Sequence, residues 1–170
     1  MKVAFLASHN TAAQAARFEL IKRYPCVDLE EAEYIIVLGG DGYMLRSMHK
    51  ALLMSQKLFG LNFGSTGFLM NTVENSSMDL FERIANASAV DLSPLYMYAH
   101  TYSGETISYP ALNEVSLFRH KHLSTKLEVR VDTKVRIPEL IGDGLLVSTP
   151  AGSTAYNFSA HGPILPIESQ

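Results

Sequence analysis

The sequence has no tryptophan and a single cysteine, Cys26. One thiol excludes an internal disulfide framework, and a reducing compartment, the cytoplasm, is the expected location. Charge of one sign is also scarce. Fourteen Lys and Arg stand against 17 Asp and Glu, a net of −3, with no basic run. Binding to a phosphate backbone needs a concentrated basic surface, so nucleic acid is not expected as the main partner. No apolar run approaches the ~20 residues that span a bilayer, which argues against a membrane partner. The start, Met1 to Ala7, has too short an apolar stretch for a secretion signal and passes at once to Ser8-His9-Asn10. It reads as a first buried strand. Internal repeats and low-complexity tracts are missing as well.

What is present is a globular composition: 47% hydrophobic residues and 18% charged, over 170 residues. That suffices for one large domain or two small ones. The organising stretch is Gly39-Gly40-Asp41-Gly42. It follows the apolar run Tyr34 to Leu38 and precedes a segment of helical spacing, Tyr43 to Met54. A strand, a glycine turn and a helix place backbone N–H groups where phosphate oxygens are well received. Asp41 is out of place beside a phosphate unless it takes a proton or binds a cation, so it is a candidate base or metal-associated carboxylate in a nucleotide site. The plainer reading makes it a helix cap.

The spacing predicts an α/β first domain over residues 1–90. Val3 to Ala7, Tyr34 to Leu38 and Lys57 to Phe63 are expected as strands of a parallel sheet. Thr11 is expected to cap a helix with Ala12, Ala16, Leu20 and Ile21 inward, ending near Pro25. Met44, Leu45, Met48, Leu52 and Leu53 form the core stripe of the second helix. Ser76 or Ser77 is expected to start a third, through Met78, Leu80, Phe81 and Ile84. After Val90 the pattern becomes β. Leu95 to Tyr102, Thr106 to Tyr109, Val115 to Phe118, Leu127 to Val131, Val135 to Ile137 and Leu145 to Ser148 read as strands of an all-β sandwich domain over residues 91–170. Ser103-Gly104-Glu105 and Asp132-Thr133-Lys134 are expected as turns, and Pro138 marks an edge or a bulge. The last segment is short, so the sandwich is expected to be incomplete at its C-terminus, with an open edge.

A second chemical segment runs from Gly142-Asp143-Gly144 through a strand to Ala151-Gly152-Ser153-Thr154-Ala155-Tyr156-Asn157. Small residues there let a flat ring lie on the backbone. Ser153 and Thr154 offer hydroxyls, Tyr156 a stacking face, and Asn157 paired donors and acceptors. The alternative is a polar loop capping a helix.

These motifs occur in a fixed order: Gly39 to Gly42, Asn62 to Leu69, Asn113-Glu114, and Asp143 to Asn157. Together they closely resemble NAD kinase, the ATP- or polyphosphate-dependent enzyme that makes NADP from NAD. The resemblance implies an α/β domain followed by a β sandwich, and Asp41 as the catalytic acid that faces the 2′-hydroxyl of the adenosine ribose. It implies that Gly40 and Gly42 serve the donor phosphates, that Phe68 lies near the nucleotide, and that Asn113 and Glu114 recognise adenosine. By the same resemblance Thr154, Ala155 and Tyr156 hold the adenine, while Asp143 and Ser159 contact the nicotinamide half, partly across a subunit boundary of a homo-oligomer. NAD is the substrate, ATP or polyphosphate the donor, and Mg²⁺ or a similar divalent cation the helper. The family continues beyond the His161 to Pro166 region, so the 170-residue chain alone is expected to keep part of its NAD recognition with weak catalysis or none. Two alternatives stand beside the enzyme: a non-catalytic dinucleotide-binding fragment, and a lipid kinase sharing the glycine-acid turn.

The remaining residues read plainly. His120 and His122 are expected to share a strand face without a metal. Arg119, Lys121 and Lys126 are expected to be solvated, and Cys26 a small buried filler.

Overall fold

The computed structural model describes residues 1–52, 54, 56–65, 67–73 and 78–169. The chain divides into two compact units, Met1–Ser88 and Ala89–Gln170.

In the first unit β1 (Val3–Ala7), β2 (Tyr34–Gly39) and β3 (Lys57–Asn62) form a parallel sheet in the order β1-β2-β3. Val3 pairs with Tyr34 and Ala7 with Leu38, while Tyr34 pairs with Lys57 and Gly39 with Asn62. Successive side chains point to opposite faces, and helices cover both. Val3, Phe5, Ile36, Leu38, Phe59 and Leu61 pack with Ala13 and Leu20 of α1 (Thr11–Arg23) and with Leu80 and Ile84 of α3 (Leu80–Ala85). Ile35 and Val37 pack with Met44, Met48 and Ala51 of α2 (Asp41–Ala51). Two covered faces explain why these strands read as continuous apolar runs. Ile35, Ile36, Val37 and Leu38 of the central strand are all 2% exposed or less. Each such burial is worth about 1.5–3 kcal/mol against exposure, so β2 is the energetic centre of the unit.

Several local expectations are revised. Asn10, not Thr11, caps α1: its Oδ1 accepts the Ala12 amide at 2.8 Å, and Thr11 is the first helical residue. Ala13 rather than Ala12 is buried. The third helix starts at Leu80, because Asp79 and Glu82 form a reciprocal capping box that a lone serine cannot. Ser76 and Ser77, and Leu53 of the expected stripe, lie outside the described residues. Cys26 is exposed, bridged beside Val3. The Tyr24 hydroxyl donates to the Asp79 carboxylate and accepts the Leu80 amide at 3.3 Å, while Arg23 Nη2 lies 3.0 Å from the same carboxylate. Burial and then the neighbouring carboxylate push the Tyr24 hydroxyl above its ordinary value, and the Tyr24 hydrogen bond holds Asp79 below the usual carboxylate range.

The second unit is antiparallel β. It pairs β4 (Leu95–His100) with β5 (Thr106–Ala111), β6 (Glu114–Phe118) with β9 (Gly144–Ser148), and β7 (Thr125–Val131) with β8 (Lys134–Gly142). The β4–β5 turn holds Gly104 at φ 85°, and the β7–β8 turn holds Asp132 and Thr133 at φ 50° and 67°. Two left-handed central residues match the twist of a tight hairpin. Pro138 sits inside β8, where the register slips between Leu127 and Val129; the bulge removes the need for its missing N–H. His120 and His122 fall in a bend after β6, not on a strand. A short helix, α4 (Tyr156–Ser159), follows β9. Among the described residues Leu112 is the buried hydrophobic of this unit, whereas Tyr96, Tyr98, Leu117, Phe118 and Val147 are exposed. No helix among the described residues is long and apolar enough to cross a membrane.

Candidate functional site

In the first unit the loops that leave the carboxyl ends of the three strands converge, the usual ligand edge of an open α/β sheet. Phe63 N donates to Gly39 O at 2.7 Å, Ser8 N to Leu38 O at 2.9 Å, and Asn10 Nδ2 to Phe63 O at 3.1 Å. Gly40 and Gly64 face each other so closely that a β-carbon on Gly64 would lie 3.4 Å from Gly40 Cα.

Gly40 is the N-cap residue of α2 and Asp41 its first helical residue. Tyr43 and Met44 amides both turn to Gly40 O, at 2.9 and 3.0 Å. The Asp41 and Gly42 amides have no acceptor within the helix. Around Gly42 a β-carbon would find nothing within 4 Å, so the helix start is open on that side. The Asp41 carboxylate does not cap its own helix. Oδ2 accepts the Phe68 amide at 2.8 Å and Oδ1 the Leu69 amide at 3.0 Å. It therefore holds the loop after β3, from which the Phe68 ring projects, 74% exposed. Thr66 of that loop lies outside the described residues.

The second unit brings Asn113 and Glu114 together with the loop after β9. Glu114 pairs with Ser148 at one end of the β6–β9 ladder. Thr149 is the hub there: its amide donates to Asn113 O at 2.8 Å, its hydroxyl donates to Leu112 O at 2.6 Å with Asn113 O 3.1 Å away, and the same hydroxyl accepts the Gly152 amide at 2.9 Å. Thr154, Ala155 and Tyr156 follow on this hub, with Tyr156 half exposed. Glu114 Oε2 is buried and has no hydrogen-bond partner among the described residues. A buried carboxylate oxygen without a donor is costly unless something else supplies one.

Two residues expected to offer polar groups use their donors within the loop instead. The Ser153 hydroxyl, fully buried, donates to Pro150 O at 2.7 Å and accepts the Leu165 amide at 2.9 Å. Asn157 Nδ2 donates to Ser153 O and Pro163 O, at 3.2 and 2.9 Å. Both hold the loop in shape. Asp143 is at the other end of the ladder, where Phe118 pairs with Gly144. Five residues of strand separate it from Ser148, roughly 17 Å. There Arg119 Nε donates to the Asp143 carboxylate at 2.5 Å, so Arg119 is paired, not solvated. Ser159 is the exposed last residue of α4. No group of three His, Cys, Asp or Glu among the described residues is placed to hold a metal.

Residues 112–167 match the family model described as the ATP-NAD kinase C-terminal domain. Over 168 residues, 99% of this chain, the sequence is 48% identical to an NAD kinase of Xylella fastidiosa, and over 170 residues it is 49% identical to one of Rhizorhabdus wittichii. The chain is similar to NAD kinases along nearly its whole length. It spans 64% and 65% of the length of those two NAD kinases. The crystal structure of an NAD kinase from Archaeoglobus fulgidus in complex with ATP aligns over 99% of this chain and 69% of its own, at 25% identity and a TM-score of 0.74. Yeast NADH kinase complexed with NADH shares the fold at a TM-score of 0.81 and 20% identity, over 99% of this chain and 63% of its own.

Sequence reasoning missed Gly67, whose β-carbon would lie 2.9 Å from Asp41 Oδ1, and the hub at Thr149. Both sit inside the quoted motifs, but nothing in a spacing says which neighbour a glycine or threonine touches.

Proposed function

We propose that this protein is an NAD kinase, transferring a phosphoryl group from ATP or inorganic polyphosphate to the 2′-hydroxyl of the adenosine ribose of NAD, giving NADP. The observation that carries the reading is the 48% identity to a curated NAD kinase across 99% of the chain. The geometry of each unit accommodates it.

Asp41 is the base. Each oxygen of its carboxylate accepts one loop amide and keeps a further lone pair for a hydroxyl proton. As the new ribose O–P bond forms and the donor's P–O bond breaks, the hydroxyl proton passes to Asp41; such a base contributes on the order of 10²–10⁴ in rate. The open helix start at Gly40 and Gly42 receives the donor phosphates through backbone amides. Phe68 lies on the loop that Asp41 holds, near the nucleotide. Asn113 and Glu114 recognise adenosine, with the partnerless Glu114 oxygen accepting from a ligand hydroxyl or amine. Thr154, Ala155 and Tyr156 line the adenine, while Asp143 and Ser159 serve the nicotinamide half. The separation of Asp143 from Glu114 along the ladder suits a role at the far end of a dinucleotide, and completion by a second subunit of a homo-oligomer.

A divalent cation such as Mg²⁺ fits this site only as a companion of the donor phosphates, since the described residues offer Asp41 without a carboxylate cluster. When bound, it would neutralise charge on the transferred group. The β ribbons belong to a sandwich, and the enzyme acts in the cytoplasm. The test is NADP formation by the purified full-length protein with NAD and either donor. Absence of NADP with both donors, from protein that binds NAD, overturns the proposal.

A further inference from the structure

Asp41 has a second task that the reaction alone does not require. We propose that Gly67 and the amides of Phe68 and Leu69 are a positioning element that fixes the plane of the Asp41 carboxylate, and that Asp41 in return latches the 67–70 loop. The proposal rests on the reading of Asp41 as base.

The loop is anchored at both ends on β3. Asn62 N donates to Asn71 O at 2.8 Å, and Asn71 returns its amide and its Nδ2 to Gly60 O at 2.9 and 3.0 Å. Asn62 Oδ1 braces the outgoing turn by accepting the Gly64 amide at 2.9 Å. Between these anchors the chain reaches out to α2, where two of its amides donate to Asp41 and Leu69 and Met70 pack against the cluster that includes Met44. Donors from successive residues, one on each carboxylate oxygen, remove the free rotation a terminal carboxylate otherwise has. Gly67 makes this approach possible. Its φ is not left-handed, so the requirement is one of space: a β-carbon would lie 2.9 Å from Asp41 Oδ1 and 3.1 Å from Met70 Cγ. A larger residue at 67 pushes either the loop or the carboxylate away.

Asp41→Asn is therefore more than the loss of a base. An asparagine presents one acceptor oxygen and one NH₂, and the NH₂ meets a loop N–H as donor against donor. The test combines two measurements. Amide hydrogen exchange followed by NMR on the 170-residue protein reports the latch: the Phe68 and Leu69 amides are protected, and Asp41→Asn lowers protection of at least one by about tenfold or more while Ile36 on β2 keeps its own. Kinetics of the full-length protein report positioning: Gly67→Ala lowers kcat about tenfold or more with KM for NAD changed less than about threefold.

Unchanged protection of both amides in Asp41→Asn overturns the latch. A wild-type kcat in Gly67→Ala overturns the positioning role. Should Gly67→Ala fail to fold, exchange in Asp41→Asn still decides, because that side chain is not part of the core. Loss of protection together with full turnover in Asp41→Asn leaves the latch standing and removes the base assignment, so the two failures are distinguishable.

Discussion

Gly152 lies against the carbonyl of Asn113: a β-carbon on Gly152 would overlap that oxygen. The carbonyl is held in place, because it accepts the Thr149 amide at 2.8 Å. Gly152→Ala is therefore expected to destabilise the second unit by about 3 kcal/mol or more, the upper end of overpacking costs, since backbone rather than a flexible side chain must move. It should also abolish NAD binding. Urea unfolding followed by tyrosine fluorescence, with calorimetric titration of NAD, checks both; wild-type behaviour in both contradicts the account of the hub.

Gly42 is the opposite case. Nothing lies within 4 Å of where its β-carbon would be, and it occupies the first turn of α2. Alanine there relieves backbone entropy and is expected to leave stability unchanged or raise it by up to about 1 kcal/mol. If donor phosphates approach the Gly42 amide, however, the added methyl group stands in their path. The expected signature is a higher KM for ATP or polyphosphate with KM for NAD unaltered. Equal KM values for the donor in both proteins would move the donor phosphates elsewhere.

Tyr24 and Asp79 link α1 to the start of α3. Tyr24→Phe removes a hydroxyl that serves both Asp79 and the Leu80 amide, and costs about 1 kcal/mol at neutral pH. The pH dependence has two limbs. Tyr24 is raised from 10.0 in the folded state, so its contribution is present below that value and lost as pH rises through the raised one. Asp79 is lowered from 3.8, so its contribution is present above that value and lost as pH falls through the lowered one. Since the Tyr24 hydrogen bond is the leading cause of the Asp79 shift, Tyr24→Phe should flatten the acid limb. Urea midpoints at pH 7 and pH 3 test this, and an undiminished acid limb in the variant would reassign the shift.

The parallel sheet was legible because its strands are buried on both faces and so read as unbroken apolar runs. The antiparallel hairpins were legible from their turns, and Pro138 from its missing N–H. Cap identity was not: Asn10 and Thr11 are both competent, and only the direction of the Asn10 side chain decides. The same limit applied in the site. Ser153 and Asn157 carry groups that suit a ligand, yet both are spent on Pro150, Pro163 and Leu165, contacts that depend on a return of the chain no local pattern encodes. Asp41 stands out in the glycine turn by residue type alone. Its grip on the Phe68 and Leu69 amides spans 27 and 28 residues of sequence and needed coordinates.

Glu114 offers the most direct test of the second unit. Its Oε2 is buried without a partner among the described residues. For folding alone this is a defect, and removing it should be neutral or stabilising. For binding it is an acceptor held ready for a ligand donor, and a charge-assisted bond is roughly twice as strong as a neutral one. A graded pair of variants separates the two effects. Glu114→Gln keeps an acceptor and loses the charge, and is expected to weaken NAD binding about three- to tenfold; Glu114→Leu loses both and is expected to weaken it about ten- to a hundredfold. Thermal unfolding of both should match or exceed wild type. If NAD dissociation constants stay unchanged across the pair while stability rises, the orphan oxygen is merely a tolerated flaw and Glu114 leaves the binding site.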